Sequence, residues 1–160
     1  MRRPLSKSIV FSVLVVVFAG AVFAQGTTNF SGEWTMNASK SDFGPAPAPE
    51  MMTRTIKHQD PSLEISTHQK GAAGESTTQT KYTTDGKESI NKLPTGEAKG
   101  TARWKGDSLV IESAREFQGI QIKGTETWTL SDGGKVLTIQ NHVSIPQQGE
   151  FDLKLVFDKK

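Results

Sequence analysis

Residues 109–130 read LVIESAREFQGIQIKGTETWTL, and their alternating pattern is the clearest indication of the fold. Two runs of alternating apolar and polar residues flank a Gln-Gly dipeptide at 118–119, where a two-residue hairpin turn fits. Because such a turn fixes the register, it places Leu109 opposite Trp128. The apolar residues of both strands then share one face. The stretch predicts an antiparallel hairpin with one buried side.

The same counting extends this apolar face to the neighbouring strands. Across Gly106-Asp107 it pairs Trp104 with Leu109, so the face continues into the preceding strand. The other predicted pairs are Ala102–Ile111, Ile111–Glu126, Arg115–Ile122, Phe117–Ile120, Leu137–Trp128, Ile139–Glu126, Ile145–Phe151, Val143–Leu153, Ile139–Phe157, Tyr82–Ser89 and Thr80–Asn91.

Turn-forming residues divide the whole chain in the same way. They recur about every eight to twelve positions and separate short runs rich in Thr, Val, Ile and aromatic residues. The longer connection over residues 38–50 contains three prolines and predicts an extended, polyproline-like flap. We therefore predict an all-β fold: an antiparallel up-and-down meander of about ten strands. Pairing of the first and last strands would remove the exposed edges and close a barrel. A solid β-sandwich is the alternative.

The predicted inner face is uneven, and this favours an internal cavity. Strands near the C-terminus carry bulky apolar side chains, whereas the middle strands carry small ones. Small inward residues leave space inside a barrel. The inward small or short polar residues are Thr67, Thr78, Thr80, Ser89, Asn91, Ala98, Gly100, Ala102, Ser113 and Gly124.

The first 24 residues predict a cleaved signal peptide. Basic residues precede an apolar run over residues 9–23, and small residues suit cleavage near Ala24. This run is shorter than the ~20 residues that a membrane-spanning helix needs. We therefore expect a bacterial-type exported protein, periplasmic or extracellular, with a single barrel domain over residues 25–160. No integral membrane segment is expected after cleavage.

Composition and motifs argue against several function classes. Three of the 19 basic residues lie in the leader, which leaves 16 against 17 acidic residues in the mature chain. A nearly neutral chain gives no electrostatic reason to expect a nucleic-acid partner. The three histidines fall on different strands, with His58 inward, and no metal-ligand spacing appears. The chain has no Gly-x-Ser-x-Gly stretch. We expect no enzyme, no catalytic or metal site and no cofactor.

A glycine and a tryptophan at Gly32-x-Trp34 on the first strand, followed by the meander, resemble the calycin superfamily of lipocalins and fatty-acid-binding proteins. The second half is similar to the fatty-acid-binding branch through Lys81-Tyr82, Asp85-Gly86, Trp104, Gly106-Asp107, Leu109-Val110, Thr127 and Leu137. The resemblance implies that Trp34 lies across the barrel floor. It also implies a pocket for lipids, retinoids or other apolar molecules.

The sequence departs from that family on its last strand. The Arg-x-Tyr pair that grips a carboxylate on the last strand is replaced by Leu155 and Phe157. Lipocalins often set a basic residue of the last strand over the tryptophan, and the predicted register puts Lys154 on the outer face instead. The resemblance therefore implies a barrel without the usual anion clamp.

Eight residues are the candidates for ligand contact. Four polar groups face inward by the hairpin count, and buried charges are costly unless they meet a partner, water or a ligand. Aromatic residues and one amide complete the set. The candidates are Arg54, Tyr82, Asn91, Trp104, Arg115, Glu126, Trp128 and Asn141.

The leading hypothesis is a monomeric, non-catalytic barrel that binds a small hydrophobic or amphipathic ligand. The middle strands, third to sixth, are expected to line the pocket, and the flap over residues 38–50 to cover its mouth. The alternative is a secreted or envelope interaction module. Its barrel or sandwich would be filled, and its surface would bind protein or glycan.

Overall fold

A computed structural model describes residues 28–72 and 74–160, and the chain forms an all-β antiparallel barrel. The predicted signal peptide lies outside the described residues. Helical structure in the described part is confined to two short 3₁₀ turns, so none of its helices has the length and apolarity to cross a membrane. The strands are β1 Gly32–Met36, β2 Met51–Gln59, β3 Ser62–Gly71, β4 Gly74–Thr83, β5 Ser89–Leu93, β6 Gly96–Lys105, β7 Ser108–Phe117, β8 Ile120–Ser131, β9 Val136–Ile145 and β10 Gly149–Lys159.

The strands form one sheet that curls into a nearly closed barrel. Its order is β4-β3-β2-β1-β10-β9-β8-β7-β6-β5, and β1 pairs with β10 as the meander predicted. Among the described residues, no ladder joins the two edges, β4 and β5. The predicted ten-stranded, calycin-like barrel is confirmed, and the sandwich is not formed.

Hairpin counting predicted the central register correctly. Leu109 pairs with both Trp104 and Trp128, and Ile111 pairs with Ala102 and Glu126. The turns at 106–107 and 118–119 contain glycines with positive φ, at 61° and 77°. These conformations suit the tight turns that fix the register. Strands β6, β7 and β8 therefore pair with one another as predicted.

The register predicted beyond β8 is wrong by two residues. Trp128 faces Ile139 instead of Leu137, and Leu137 faces Phe157. The predicted Ile145–Phe151 pair is also absent, since Ile145 faces the start of β10 at Gly149. Different loop lengths cause both errors, and an even shift keeps every side chain on its predicted face. The apolar face therefore survives while individual partners change.

The predicted pairing of β4 with β5 is also wrong. The connection after β4 turns onto β6 instead, where the N–H of Gly86 donates to the Ala102 carbonyl at 2.9 Å. The Asn91 side chain closes part of the remaining seam. Its Oδ1 accepts from Lys81 N at 2.7 Å, and its Nδ2 donates to Lys81 O at 3.1 Å. One amide thus substitutes for a ladder rung between the two edges.

The connection over residues 38–50 is anchored more firmly than an extended flap. It begins with a 3₁₀ turn at Ala38–Lys40. Asp42 then exchanges two backbone hydrogen bonds with Lys154, at 2.7 and 2.8 Å. Phe43, in the middle of this connection, packs against the apolar core. The first half of this connection is therefore not the polyproline-like flap that was predicted, because pairing with β10 satisfies its backbone.

Trp34 lies fully buried at the closed end of the barrel, where its Nε1–H donates to the Phe30 carbonyl at 2.9 Å. The Phe30 ring stacks on Trp104 at 5.9 Å and meets Trp128 edge-on at 5.6 Å. A basic residue of the last strand does cover Trp34: the Lys159 Nζ lies 5.2 Å from its ring centre. Lys154 is not that residue. We call this packed end the floor cluster, which comprises Phe30, Trp34, His58, Leu63, Trp104, Leu109, Trp128, Leu137 and Phe157.

Candidate functional site

An internal cavity lies above the floor cluster and consists of two adjoining lobes. The first lobe, of about 250 Å³, reaches from β8 across to β2 and β3. The second lobe, of about 230 Å³, extends toward β6 and β9. Thr80, Tyr82, Leu93, Ser113, Arg115 and Glu126 line both lobes. Strands β2 to β9 contribute to the walls, a wider set than the third to sixth strands predicted.

Six of the eight predicted contact residues meet in this cavity. Arg54 and Trp128 line the first lobe, and Asn141 lines the second. Tyr82, Arg115 and Glu126 line both. The alternation of side chains along each strand brings them to the lumen, as the hairpin count predicted.

The other two predicted residues lie apart from the lobes. Asn91 is buried in the β4–β5 seam, where its amide pairs with the backbone. Trp104 belongs to the floor cluster, and its Nε1–H donates to Asp60 Oδ1 at 3.3 Å. Both positions have evident structural roles in the barrel wall and floor.

Asp60 takes part in three side-chain hydrogen bonds at the closed end of the barrel. Its Oδ1 accepts from Thr84 at 2.7 Å and lies 3.0 Å from His58 Nε2. Partial burial on its own would raise the pKa of Asp60, but the hydrogen bonds from Thr84, His58 and Trp104 outweigh it. The pKa of Asp60 is therefore lowered, and the carboxylate stays ionised as a structural acceptor.

A charged pair crosses the lumen and separates the cavity from the floor. Arg54 Nη1 lies 3.6 Å from Glu126 Oε2, although β2 and β8 are not neighbours in the sheet. The guanidinium also lies over the rings of Trp128 and Phe157, at 5.4 and 5.3 Å. Glu126 accepts a further hydrogen bond from Trp128 Nε1 at 2.7 Å. The pair therefore neutralises itself within an aromatic setting.

Tyr82 lines both lobes, and its ring packs against β6 at Gly100, which has no side chain. A Cβ atom on Gly100 would lie 3.0 Å from a Tyr82 ring carbon and 2.7 Å from the Glu112 carbonyl, so only glycine fits there. Burial and, secondarily, the negative charge of Glu126 raise the pKa of Tyr82 to about 12. A phenol in this setting stays neutral and available for hydrogen bonding.

This pKa gives a direct test of the cavity. Tyr82 is the single tyrosine of the chain, so the phenolate absorbance band reports it alone. We expect the folded protein to titrate with a pKa of about 12 rather than at the ordinary value of 10.0. Between those values the unfolded chain loses the proton first, so the free energy of unfolding should fall as pH rises. A folded protein whose phenol titrates near the ordinary value would contradict the buried position.

The second lobe contains a polar recess that the sequence predicted only in part. Ser113 and Gly124 face each other on β7 and β8, and Arg115 is the next inward residue of β7. Asn141 lies beside them on β9, and its buried Oδ1 has no hydrogen-bond partner among the described residues. Small inward residues had signalled space at Ser113 and Gly124. The predicted register implied Asn141 opposite Gly124, whereas the structure pairs Asn141 with Glu126 and still leaves its side chain beside Gly124.

Several cavity residues were absent from the predicted set. Met52, Ile65, Ile111, Ile122 and Val143 supply apolar wall. Alternation along the strands had placed these residues on the inner face. The sequence pattern alone does not distinguish an apolar residue of the core from one that contacts a ligand. Within the described ranges, no group of three or more His, Asp or Glu side chains is arranged to hold a metal ion.

Solved structures with a similar fold include small barrels. Zebrafish ileal bile acid-binding protein complexed with cholic acid has a TM-score of 0.58 and 19% identity, with 82% of this chain and 98% of that chain covered. The fluorescent protein UnaG has a TM-score of 0.59 and 17% identity, with coverages of 82% and 97%. Human cRBP IV has a TM-score of 0.50 and 17% identity, with 82% of this chain and 98% of that chain covered. Neither a family model nor a curated protein sequence matches the chain. The resemblance to fatty-acid-binding-protein-like barrels is therefore confirmed at the level of the fold.

Proposed function

We propose that this protein is a non-catalytic carrier that binds one small hydrophobic or amphipathic molecule inside its barrel. The observation that carries the proposal is the two-lobed cavity, which combines apolar walls with a few convergent polar groups. Small-molecule sites typically have this composition, with volumes of ~300–1,000 Å³. Among proteins with a similar fold, the zebrafish protein is complexed with cholic acid, and this supports a small amphipathic ligand for this barrel.

Apolar burial is the main source of affinity in this proposal. A ten-carbon chain moved out of water contributes roughly 8 kcal/mol at ~0.8 kcal/mol per CH₂, before the costs of association. A charge-assisted hydrogen bond adds ~1.5–3 kcal/mol. Replacement of the family's clamp by Leu155 and Phe157, both buried in the structure, therefore changes selectivity more than it removes affinity.

The proposal includes features of the chain's cellular setting. The leader supports export, the nearly neutral mature chain supports the absence of a nucleic-acid partner, and a monomer is the working assumption. A surface-binding module with a filled interior has less support, because the interior holds the cavity described above.

Contact quenching of tryptophan emission tests this function. A terminally brominated fatty alcohol quenches a tryptophan that it touches, and Trp128 is the tryptophan that lines the cavity. We expect saturable quenching in the mature protein, and a much smaller signal in Trp128→Phe. Trp104→Phe is the matched control, because Trp104 lines neither lobe of the cavity. Absence of quenching at ~50 µM, a weak-binding concentration, would contradict the proposal.

A further inference from the structure

The recess at Gly124 offers space that the fold itself does not need. A Cβ atom at this position would lie 3.5 Å from Ser113 Oγ and 3.6 Å from Asn141 Oδ1, which are ordinary contact distances. Neither crowding nor left-handed backbone therefore requires a glycine there. Glycine weakens a strand interior and often marks a place where a ligand approaches the backbone. The bare backbone lies between a hydroxyl on one neighbouring strand and an amide on the other.

The Asn141 carboxamide is a hydrogen-bonding group without a partner for its oxygen. Its Oδ1 is buried and accepts no hydrogen bond from any described residue. A buried acceptor left unpaired costs free energy. The terminal torsion of an asparagine is broad, so either the oxygen or the NH₂ group can turn to the recess. A ligand hydroxyl, which both donates and accepts, complements the amide in either orientation.

Arg115 brings an unneutralised positive charge to the same end of the cavity. The other described cavity arginine, Arg54, pairs with Glu126, whereas Arg115 has no carboxylate of a described residue within 4.0 Å. Among the side chains that face inward by alternation, two cations and one anion leave one net positive charge, and Lys123 adds a third cation to the lining of the second lobe. Glu126 lies four positions along β8 from the residue opposite Arg115, roughly 13 Å at ~3.3 Å per residue. An anion at Arg115 is therefore well separated from Glu126.

We propose that the second lobe binds the head group of a hydroxylated anionic amphiphile. The anion lies on the Arg115 guanidinium, and a hydroxyl near it enters the recess formed by Ser113, Gly124 and Asn141. The apolar chain occupies the first lobe, against Met52, Ile65 and Ile111. This assignment rests on the proposed carrier function and specifies the ligand class for the same cavity.

Four probes of equal chain length separate the contributions. They are dodecanoate, 3-hydroxydodecanoate, dodecanol and dodecylammonium, each competing with the neutral dye Nile red for the mature protein. We expect 3-hydroxydodecanoate to bind most tightly, followed by dodecanoate, dodecanol and dodecylammonium. The carboxylate should improve affinity about tenfold or more over the alcohol, and the added hydroxyl a further ~2–10-fold, as hydrogen bonds of these kinds do.

Two variants assign these preferences to residues. Arg115→Met should remove the advantage of dodecanoate over dodecanol, with both affinities measured by displacement of Nile red from the same variant. Gly124→Ala places a methyl group in the recess at ordinary contact distances, so the protein should fold normally. It should abolish the preference for the hydroxylated acid over dodecanoate. Arg103→Met is the matched control, because Arg103 pairs with Glu112 on the outer surface.

The outcomes distinguish this assignment from the carrier function. If Nile red and all four probes fail to bind, the carrier function fails and the assignment fails with it. If Nile red binds but the acid and the alcohol compete equally, the assignment alone is overturned. The assignment is likewise overturned if Arg103→Met changes selectivity as much as Arg115→Met, or if Gly124→Ala keeps the hydroxyl preference.

Discussion

Trp34→Ala is expected to lower the free energy of unfolding by about 4 kcal/mol, the range found for large aromatic residues truncated in a core. Trp34 is fully buried, and its indole closes the barrel floor beneath Phe30. The truncation leaves a large void and an unpaired Phe30 carbonyl. It also removes the ring that faces the Lys159 ammonium. Urea unfolding followed by circular dichroism measures the loss.

A matched truncation at the open end should cost far less. Phe117 is 40% exposed at the tip of the β7–β8 hairpin, so Phe117→Ala is expected to stay within about 1 kcal/mol of the parent protein. Trp34→Phe should fall between the two, because it keeps part of the apolar volume. If Trp34→Ala costs no more than Phe117→Ala, the floor does not depend on the tryptophan.

Turn chemistry explains which parts of the fold were predictable from the sequence. The short turns at 106–107 and 118–119 leave one way to count residues across each hairpin, and the pairs around Leu109 follow. The loop at 132–135 and the one at 146–148 allow more than one length of connection. The prediction consequently missed the register there by two residues. Side-chain alternation tolerates an even slip, so the buried face was still predicted correctly.

At the β4–β5 seam, local turn preference fails to predict how the strands pair. The Asp85-Gly86 signal predicted a hairpin, but tertiary contacts carry this connection onto β6. Tyr82 then packs over Gly100, and the Asn91 side chain makes the hydrogen bonds that a paired strand would have made. Gly100 and Ala102 lie outside the predicted hairpin, whereas Lys81 and Asn91 lie within it and meet through the Asn91 side chain instead of a backbone ladder. Local turn preference is therefore outweighed by packing across the barrel.

The sequence predicted which polar side chains face the cavity, but not which of them contact one another. Alternation along single strands placed Arg54, Arg115, Glu126 and Asn141 inward. Which of them meet depends on how far the barrel curls, because β2 and β8 are separated by three strands of the sheet. Curvature is not encoded in any one hairpin. The hairpin count consequently identified four inward polar groups and separated Arg115 from Glu126, but it did not show that Arg54 meets Glu126.

Arg54→Met is expected to lower the free energy of unfolding by about 3 kcal/mol. It leaves the Glu126 carboxylate in the lumen with one remaining donor, Trp128 Nε1–H. The side chains of the pair are only 11% and 25% exposed, so water compensates the loss poorly. The rings of Trp128 and Phe157 also lose the cation that lies over them. Chemical unfolding of the variant beside the parent protein measures this cost.

A double-mutant cycle separates the ion pair from the packing around it. Glu126→Gln keeps an acceptor for Trp128 and removes the charge, so Arg54→Met with Glu126→Gln should be more stable than Arg54→Met alone by about 1 kcal/mol or more. Arg103→Met is the surface control: its pair with Glu112 is more than half exposed on both sides and should cost under about 1 kcal/mol. Strictly additive effects, or equal costs for the two arginines, would show that the contact across the lumen contributes nothing beyond an ordinary surface pair. A positive coupling would instead identify Arg54–Glu126 as the tie that holds β2 to β8 and keeps the floor cluster separate from the cavity above it.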